Sequence, residues 1–372
     1  MLNKQNHLPF EKTNRADDEH VYSRGEATIW FGDVLDYYDS WETPTAIISD
    51  GAYGLGLFSG DPHDVEGLTA WYEPHVAKWS EKASPQTTLW FWNSELGWAT
   101  VHPLLVKYGW TYVNCHIWDK GIAHVAGKSN TQTLRKLPVV TEVCVQYVKE
   151  ARIAGLSIKD WLRAEWERTG IPFNRANEAA GVANAATRKY FTKDHLWYFP
   201  PPDAFEKITD YANRYGKVDG RPYFSLNGEK PATSGEWEKM RSKFSCPLGV
   251  TNVWRSPQLN GRERVRNGSK SAHRNQKPLH QIELIIQAST DDGDLVWDPF
   301  GGIGTVPLAA CALNRSCVSA EIQREFYDIA VDRLRNAKFI RGSANAQTRD
   351  NTSSSLGTSR HMGTLWTLDE GD

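Results

Sequence analysis

Two periods organise the hydrophobic and polar positions of this chain. Short apolar runs bounded by polar or glycine residues occur at 27–31, 45–49, 87–92, 112–118, 141–149, 295–297 and 317–320. Runs of that length predict strands buried on both faces. Between them, apolar residues recur at helical spacing and predict helices over 68–82, 96–108, 203–215, 279–288, 305–312 and 323–337. Strands alternating with helices imply a sheet of parallel strands covered on both sides. Composition shifts near residue 151, where two or three short helices are expected; NRANEAAGVANAATRKYF reads as helix, glycine turn, helix. Both ends lack either period. Residues 1–22 are expected to be a flexible polar arm, and 341–372, rich in Ser, Thr and Gly, a disordered tail.

Composition narrows the class. With 372 residues, 40% of them hydrophobic and 24% charged, the chain has room for two or three domains and a sizeable core. No run is long enough to cross a bilayer and the N-terminus lacks the apolar centre of a signal peptide, so a cytoplasmic protein with no membrane partner is expected. The five cysteines are scattered without a CxxC pair, which indicates neither a metal site nor a disulfide framework. A net charge of -2 exerts no general pull on a polyanion, so any nucleic acid needs a local basic surface. Such a segment runs from Trp254 to Pro278, where seven basic residues face the single acid Glu263. Arg262, Arg264, Arg266 and Lys270 are its candidates for phosphate contact, a solvated loop being the alternative.

Candidate chemistry concentrates in DGDLVWDPFGGIGTVPLAACALNRSCVSAEI, residues 292–322. An apolar strand ends at Asp298-Pro299, a glycine turn follows through Gly301, Gly302 and Gly304, Thr305 opens a helix, and a second strand ends at Glu321. In strand-turn-helix-strand geometry the helix N-terminus and glycine amides face a ligand, and the last carboxylate reaches a ribose. That describes a nucleoside-type cofactor. A dinucleotide fingerprint requires a further glycine where Pro307 stands, which disfavours NAD.

DPFGGIGT resembles the DPFxGxGT signature of S-adenosylmethionine-dependent DNA amino-methyltransferases. The resemblance implies S-adenosyl-L-methionine as cofactor, its methionine part held by Asp298, Phe300, Gly301, Gly302, Gly304 and Thr305 and its ribose by Glu321. Asp33, after the first strand, resembles the short acidic motif near the cofactor adenine. Lys277 and Pro278, in a segment resembling the family's Kp..L motif, would pack on the methionine end.

A second landmark is SDGAYG, at the place of the family's (D/N/S)PP(Y/F/W), with the acid and aromatic kept and both prolines replaced. The catalytic candidates are therefore Asp50, Gly51 and Tyr53. An exocyclic amino nitrogen is a poor nucleophile because its lone pair is delocalised, so acceptors for both its hydrogens are needed. The Asp50 side chain is one acceptor and the Gly51 carbonyl the other. Tyr53 would stack on a flipped base. Without proline the loop is expected to be less pre-organised. Further along, HIWDKG resembles a strand end that places a ring and a cation, here Trp118 and Lys120, near the target nucleotide.

The order of these motifs resembles the beta subgroup of the family. It implies an α/β fold: a Rossmann-like doubly wound methyltransferase sheet, circularly permuted, with an inserted mainly helical target-recognition domain. Residues 23–150 would form the catalytic half, 151–250 the recognition domain, and 251–340 the basic loop and cofactor half. The insert's second helix, with Arg188 and Lys189, has the composition of a helix-turn-helix recognition helix. The expected function is methylation of an exocyclic amino group in double-stranded DNA, with adenine N6 preferred because of the acid at Asp50. Ser49 keeps cytosine N4 open, and the lost prolines keep open an inactive protein that binds cofactor and DNA. The resemblance leaves room for a homodimer and for a cognate restriction endonuclease.

Overall fold

In the computed structural model the described residues are 19–56, 58, 60–125, 133–184, 186–259, 261–268, 270–273, 275–339 and 366–368. Their main strands are β1 (Val21–Arg24), β2 (Ala27–Phe31), β3 (Ala46–Ser49), β4 (Thr88–Asn93), β5 (Trp110–Asp119), β6 (Thr141–Lys149), β7 (Val253–Arg255), β8 (Leu295–Asp298) and β9 (Ser316–Glu321). One sheet contains them all, in the order β1-β2-β9-β8-β3-β4-β6-β5-β7. From β2 to β4 the neighbours are parallel, while β6 runs antiparallel to both β4 and β5. The carboxyl ends of β2, β9, β8, β3, β4 and β5 therefore share one rim, and the reversed β6 presents its first residues there too.

The short apolar runs are strands because each face of the sheet is covered. Successive side chains point to opposite faces. Ala46, Ile48, Trp90 and Val296 enter one core, packed by α5 (Leu279–Ser289), α6 (Thr305–Ala312) and α7 (Arg324–Asn336). Ile47, Leu89, Phe91 and Trp297 enter the other, packed by α1 (Leu68–Lys82) and α2 (Glu95–Lys107). From β8 the chain winds to β9 on one side, and from β3 it winds to β4 on the other. β3 and β8 are neighbours, paired at Trp297 and Ile47. This reversal of winding opens a crevice at their carboxyl ends.

Between β6 and β7, helices α3 (Ile158–Thr169) and α4 (Pro202–Tyr215) build a third core around Trp161, Trp166, Phe205 and Trp237. This insert leaves the sheet after Lys149, at the amino rim. It is fastened there again by Lys243, ion-paired to Asp291 at 2.8 Å and Asp294 at 2.7 Å, and by the Ser245 amide on the Ala288 carbonyl at 2.7 Å. All of these attachments lie at the opposite rim from the crevice.

Four expectations need correction. Order begins before Ala27: β1 pairs antiparallel with β2, since Val21 and Tyr22 can lie against Trp30 and Ile29. The basic segment is not one loop, because Trp254 is buried in edge strand β7 and residues 266–267 and 270–271 pair as a small hairpin. Part of the tail is ordered, Trp366–Leu368 pairing with Ala337–Phe339, while 340–365 and 369–372 lie outside the described residues, as does the arm 1–18. The helix-turn-helix is not formed at useful length. Its halves are Arg175–Ala179 and one wide turn, Ala186–Tyr190, of five residues each. The Asn177 side chain accepts from the Thr187 amide at 3.2 Å and also bonds its hydroxyl, competing with helical pairing as Asn and Thr commonly do.

Candidate active site

The crevice is a cavity of about 640 Å³, within the roughly 300–1,000 Å³ range of small-ligand sites. Gly32 and Asp33 after β2, Asp50, Gly51 and Tyr53 after β3, Asp298 to Ile303 after β8, and Glu321 after β9 all line it. So do Trp71 and His75 of α1 and residues 271–273 and 275–277. Asp50 and the glycine turn, some 250 residues apart in sequence, thus face one space.

On the side of the glycine turn, the backbone is fitted to its neighbours. A Cβ on Gly301 would overlap the Ser319 hydroxyl, and one on Gly304, at φ +76, would lie 2.9 Å from the Ala330 Cβ. Gly302 instead has φ +52 and an open side toward the cavity, with only His273 near, at 3.8 Å. The amides do not point at a ligand as expected. Gly301 N–H donates to the Ala320 carbonyl at 2.8 Å, Gly304 N–H to the Gly301 carbonyl at 2.9 Å, and Gly302 N–H to Glu321 Oε2 at 2.7 Å. The glycines serve close approach, while Glu321, which lines the cavity, also accepts from the Gln323 amide at 2.7 Å. Burial pushes the Glu321 carboxyl up to about 7 and that of Asp298 to about 8; the Ser319 hydroxyl donates to Asp298 Oδ2 at 3.0 Å and opposes the second shift. No described cation pairs with either acid.

On the side of β3 the site is made of side chains. Asp50 Oδ1 accepts from Lys277 Nζ at 2.8 Å and from the Tyr53 hydroxyl at 2.9 Å. Lys277 Nζ also donates to the Tyr53 oxygen at 3.0 Å and lies 3.3 Å from Glu142 Oε2. Glu142 Oε1 in turn accepts from Lys120 Nζ at 2.6 Å. Burial opposes the charge on Lys277, but Asp50 and Glu142 outweigh it and hold the ammonium above its ordinary value. Burial likewise works against charge on Glu142, where Lys277 and Lys120 prevail and hold the carboxyl low. At Asp50 burial prevails, lifting the carboxyl above its ordinary value against the pull of Lys277. Asp50 Oδ2 and the Gly51 carbonyl accept no hydrogen bond from the described residues, and the Asp50 side chain keeps 20% exposure. Both residues line the cavity.

Gly51 has a structural reason. A Cβ there would lie 2.7 Å from the Phe300 ring and 2.8 Å from the Tyr72 hydroxyl. The order that proline would impose comes instead from donors to the next carbonyl, Ala52, which accepts from Tyr72 Oη at 3.0 Å and Asn93 Nδ2 at 2.9 Å. Phe300 is packed by Trp71 at 5.2 Å and His75 at 5.0 Å between ring centroids.

With this geometry, the sequence profile of the N6/N4 amino-methyltransferases, described as DNA methylase, matches residues 45–332. The chain belongs to this DNA methylase family. It is 30% identical over 162 residues to the type II methyltransferase M.ScaI of Streptomyces caespitosus, an alignment taking in 42% of this chain and 48% of that protein. To the orphan methyltransferase M.BamHII of Bacillus amyloliquefaciens it is 36% identical over 156 residues, 40% of this chain and 56% of the other. The chain spans about half the length of these curated relatives. Among solved structures, the PvuII DNA methyltransferase (cytosine-N4-specific) superposes with a TM-score of 0.48 at 13% identity, over 83% of this chain and 86% of that one.

The other expected residues fall as follows. Asp33 lines the cavity, its carboxylate accepting from the Leu35 amide at 2.9 Å. Thr305 lines it too, whereas Pro278 does not; it is the N-cap of α5. Lys277 sits on the catalytic candidate Asp50 rather than serving only as a wall of the cofactor pocket, because the ammonium is drawn between two buried carboxylates. Lys120, expected at DNA, is buried and bound to Glu142, and Trp118 is buried with its indole donating to the Ser256 carbonyl at 2.8 Å. The charge of Lys120 is spent inside the protein. Arg188 and Lys189 are exposed on the wide turn and do not line the cavity. Arg266 and Lys270 are exposed on the hairpin whose last residues reach the cavity mouth, and half-buried Arg264 donates to Ser271 Oγ at 2.7 Å. Arg262 lies in the turn Gly261–Glu263; its side chain is outside the described residues.

Two residues lining the cavity, Trp71 and His273, and one behind its wall, Glu142, have no role in the sequence analysis. Trp71 of α1 lines the cavity, while Trp79 on the same helix is fully buried. His273 lines the mouth against Phe326 at 4.7 Å, and burial, ahead of the nearby cations, pulls its imidazole down to about 4. Glu142 is close to the cavity through Lys277; its one signal was a carboxylate opening an otherwise apolar buried strand.

Proposed function

We propose that this chain transfers the methyl group of S-adenosyl-L-methionine to the exocyclic amino group of a base flipped out of double-stranded DNA, adenine N6 in preference to cytosine N4. The observation carrying this reading is that Asp50 and Gly51, whose Oδ2 and carbonyl accept no hydrogen bond from the described residues, line the cavity that also holds the glycine turn. The type II methyltransferase names of the relatives support it.

The cavity fits the cofactor by its own features. Gly302 leaves room where a side chain would stand, Glu321 offers acceptors suited to ribose hydroxyls, and Phe300 and Trp71 give an aromatic wall beside Asp298. Once bound, S-adenosyl-L-methionine supplies an electrophilic methyl on a sulfonium. The rest falls to the chain's own groups. Asp50 Oδ2 and the Gly51 carbonyl accept from the two amino hydrogens, which localises the nitrogen lone pair as it becomes nucleophilic. Asp50 Oδ1, fixed by Lys277 and Tyr53, prevents the carboxylate from rotating. The buried aromatic wall excludes water from the developing charge. Tyr53 also offers its ring for base stacking.

Adenine is preferred because the acid occupies the position where cytosine enzymes more often carry serine. Ser49 does not substitute for it, being fully buried in β3 and absent from the cavity wall. The permuted motif order and the placing of recognition in the insert belong to the same proposal. The test is incubation with methyl-labelled cofactor and duplex DNA, followed by nucleoside analysis. N6-methyladenine is the expected product and N4-methylcytosine would reverse the base preference. Cofactor binding without label on DNA would leave a binding protein, and label on RNA or protein alone would overturn the substrate class.

A further inference from the structure

We infer that Lys277 is the positioning residue of the catalytic acid: its ammonium holds Asp50 ionised and oriented, so that Oδ2 remains an acceptor in a buried site. The inference rests on the proposed role of Asp50 and adds what makes that role physically available.

A carboxylate at the end of a strand buried on both faces is poorly solvated, and its neutral form is favoured. A neutral carboxylic acid would carry a proton in place of one acceptor position, and an amino hydrogen would meet a donor. The groups facing Asp50 come from five elements. Tyr53 lies on its own loop, Glu142 at the start of β6, Tyr72 on α1, Asp298 at the end of β8, and Lys277 just before α5. Of these only Lys277 is a cation. Lys120, at the end of β5, is committed to Glu142 and has no bond to Asp50. Lys277 Nζ has acceptors on several sides: Asp50 at 2.8 Å, the Tyr53 oxygen at 3.0 Å and the Asn275 carbonyl at 3.5 Å, with Glu142 ion-paired at 3.3 Å. The ammonium is also enclosed by two rings, 5.2 Å from the Tyr53 centroid and 5.3 Å from that of Trp92, and is 4% exposed. So placed, it is sequestered from both solvent and DNA phosphate. Its remaining work is on the two carboxylates.

Glu142 gives the arrangement its balance. Two carboxylates and two ammonium groups alternate from Asp50 through Lys277 and Glu142 to Lys120.

Replacement of Lys277 by Met retains most of the volume and removes the cation. The sign of the change follows directly: without the one described cation that faces it, the Asp50 carboxyl binds its proton more tightly and becomes ionised only at higher pH. An opposite charge at this distance shifts a carboxyl by about 1–3 pH units, so at least a tenfold change in proton affinity is expected. The experiment is carboxyl 13C NMR titration of the full chain without cofactor or DNA, comparing wild type with Lys277→Met, Asp50 being assigned by its loss in Asp50→Asn. The rise in midpoint is expected in Lys277→Met, and the acid limb of kcat should move to higher pH by the same amount, with activity recovering above it. The double variant Lys277→Met/Asp50→Asn controls for folding, since it contains no buried unpaired charge at position 50. An unmoved Asp50 midpoint, or a loss confined to cofactor affinity with an unmoved acid limb, overturns the inference. If the midpoint moves but wild type methylates no DNA, the positioning role stands and the proposed substrate is what fails.

Discussion

The two walls of the crevice are built from different materials. The β8–β9 wall is mostly backbone: three glycines pressed against Ser319, Ala330 and the open cavity, with two acids that no described cation neutralises. The β3 wall is a chain of alternating charges, with Lys277 and Lys120 set among Asp50 and Glu142. A backbone cradle holds a ligand through shape and is intolerant of added atoms. A charged network holds a reactive group in one ionisation state and is intolerant of lost partners. The first kind of wall suits a cofactor whose form is constant; the second suits a base whose amino group must be activated.

The largest effect should come from breaking the charged wall. Asp50→Ala is expected to lower kcat by about 100- to 1,000-fold or more while the dissociation constant for the cofactor, measured by calorimetry, stays within about twofold. Equal loss on both measurements would place Asp50 on the cofactor side after all. Crowding the backbone wall should do the reverse. Gly301→Ala sets a methyl group on the Ser319 hydroxyl, which itself holds Asp298, and overpacking of this kind costs about 1–3 kcal/mol, so cofactor affinity should fall about tenfold. Full affinity in that variant would mean the turn is more pliable than its packing implies.

Restoring the family's proline at position 51 sharpens the contrast further. Because Phe300 and Tyr72 occupy the space, Gly51→Pro should destabilise by about 1–3 kcal/mol in urea unfolding and slow the reaction, although proline ordinarily stiffens a loop. A faster, more stable variant would show that Phe300 yields. A smaller effect separates the walls by pH. Asp298 and Glu321 titrate in the folded protein near about 8 and about 7, above their ordinary carboxylate values. Their neutral forms stabilise the fold below those ordinary values, and that contribution is lost as pH rises through the folded ones. Without cofactor, Tm should therefore decline between about pH 5 and pH 8, and the decline should be shallower in Asp298→Asn. The least effect belongs outside both walls. Arg266→Ala or Lys270→Ala should weaken duplex binding a few-fold, alike for all sequences, and reduce the salt dependence by about one counterion each.

The same contrast explains what could be read from the chain. The backbone wall was legible because its parts are contiguous: strand, glycine turn, helix and acid lie within 292–322, and every one of those elements formed. Only the use of the glycine amides differed, since strand-to-turn pairing claimed them. The charged wall is assembled from residues 50, 53, 120, 142 and 277, and no local pattern joins them. Lys120 looked like a surface cation because HIWDKG does not reveal that the antiparallel β6 brings Glu142 to the same rim. Lys277 was placed at the cavity, but its pairing with Asp50 has no signal in the sequence. The loss of proline at Gly51 looked like relaxation for a similar reason, because the ring that fills the space, Phe300, comes from the other wall.

Among the described residues, the insert's core shares no residue with the two cores of the sheet, and its fastenings through Lys243 and Ser245 lie at the amino rim. Substitutions at Trp161, Trp166 or Trp237 can reshape it while every strand that bears Asp50 or Gly302 retains its packing partners. Exchange of this whole segment would therefore leave the packing under the crevice as it stands, so that one part of the chain can be rebuilt without disturbing the other.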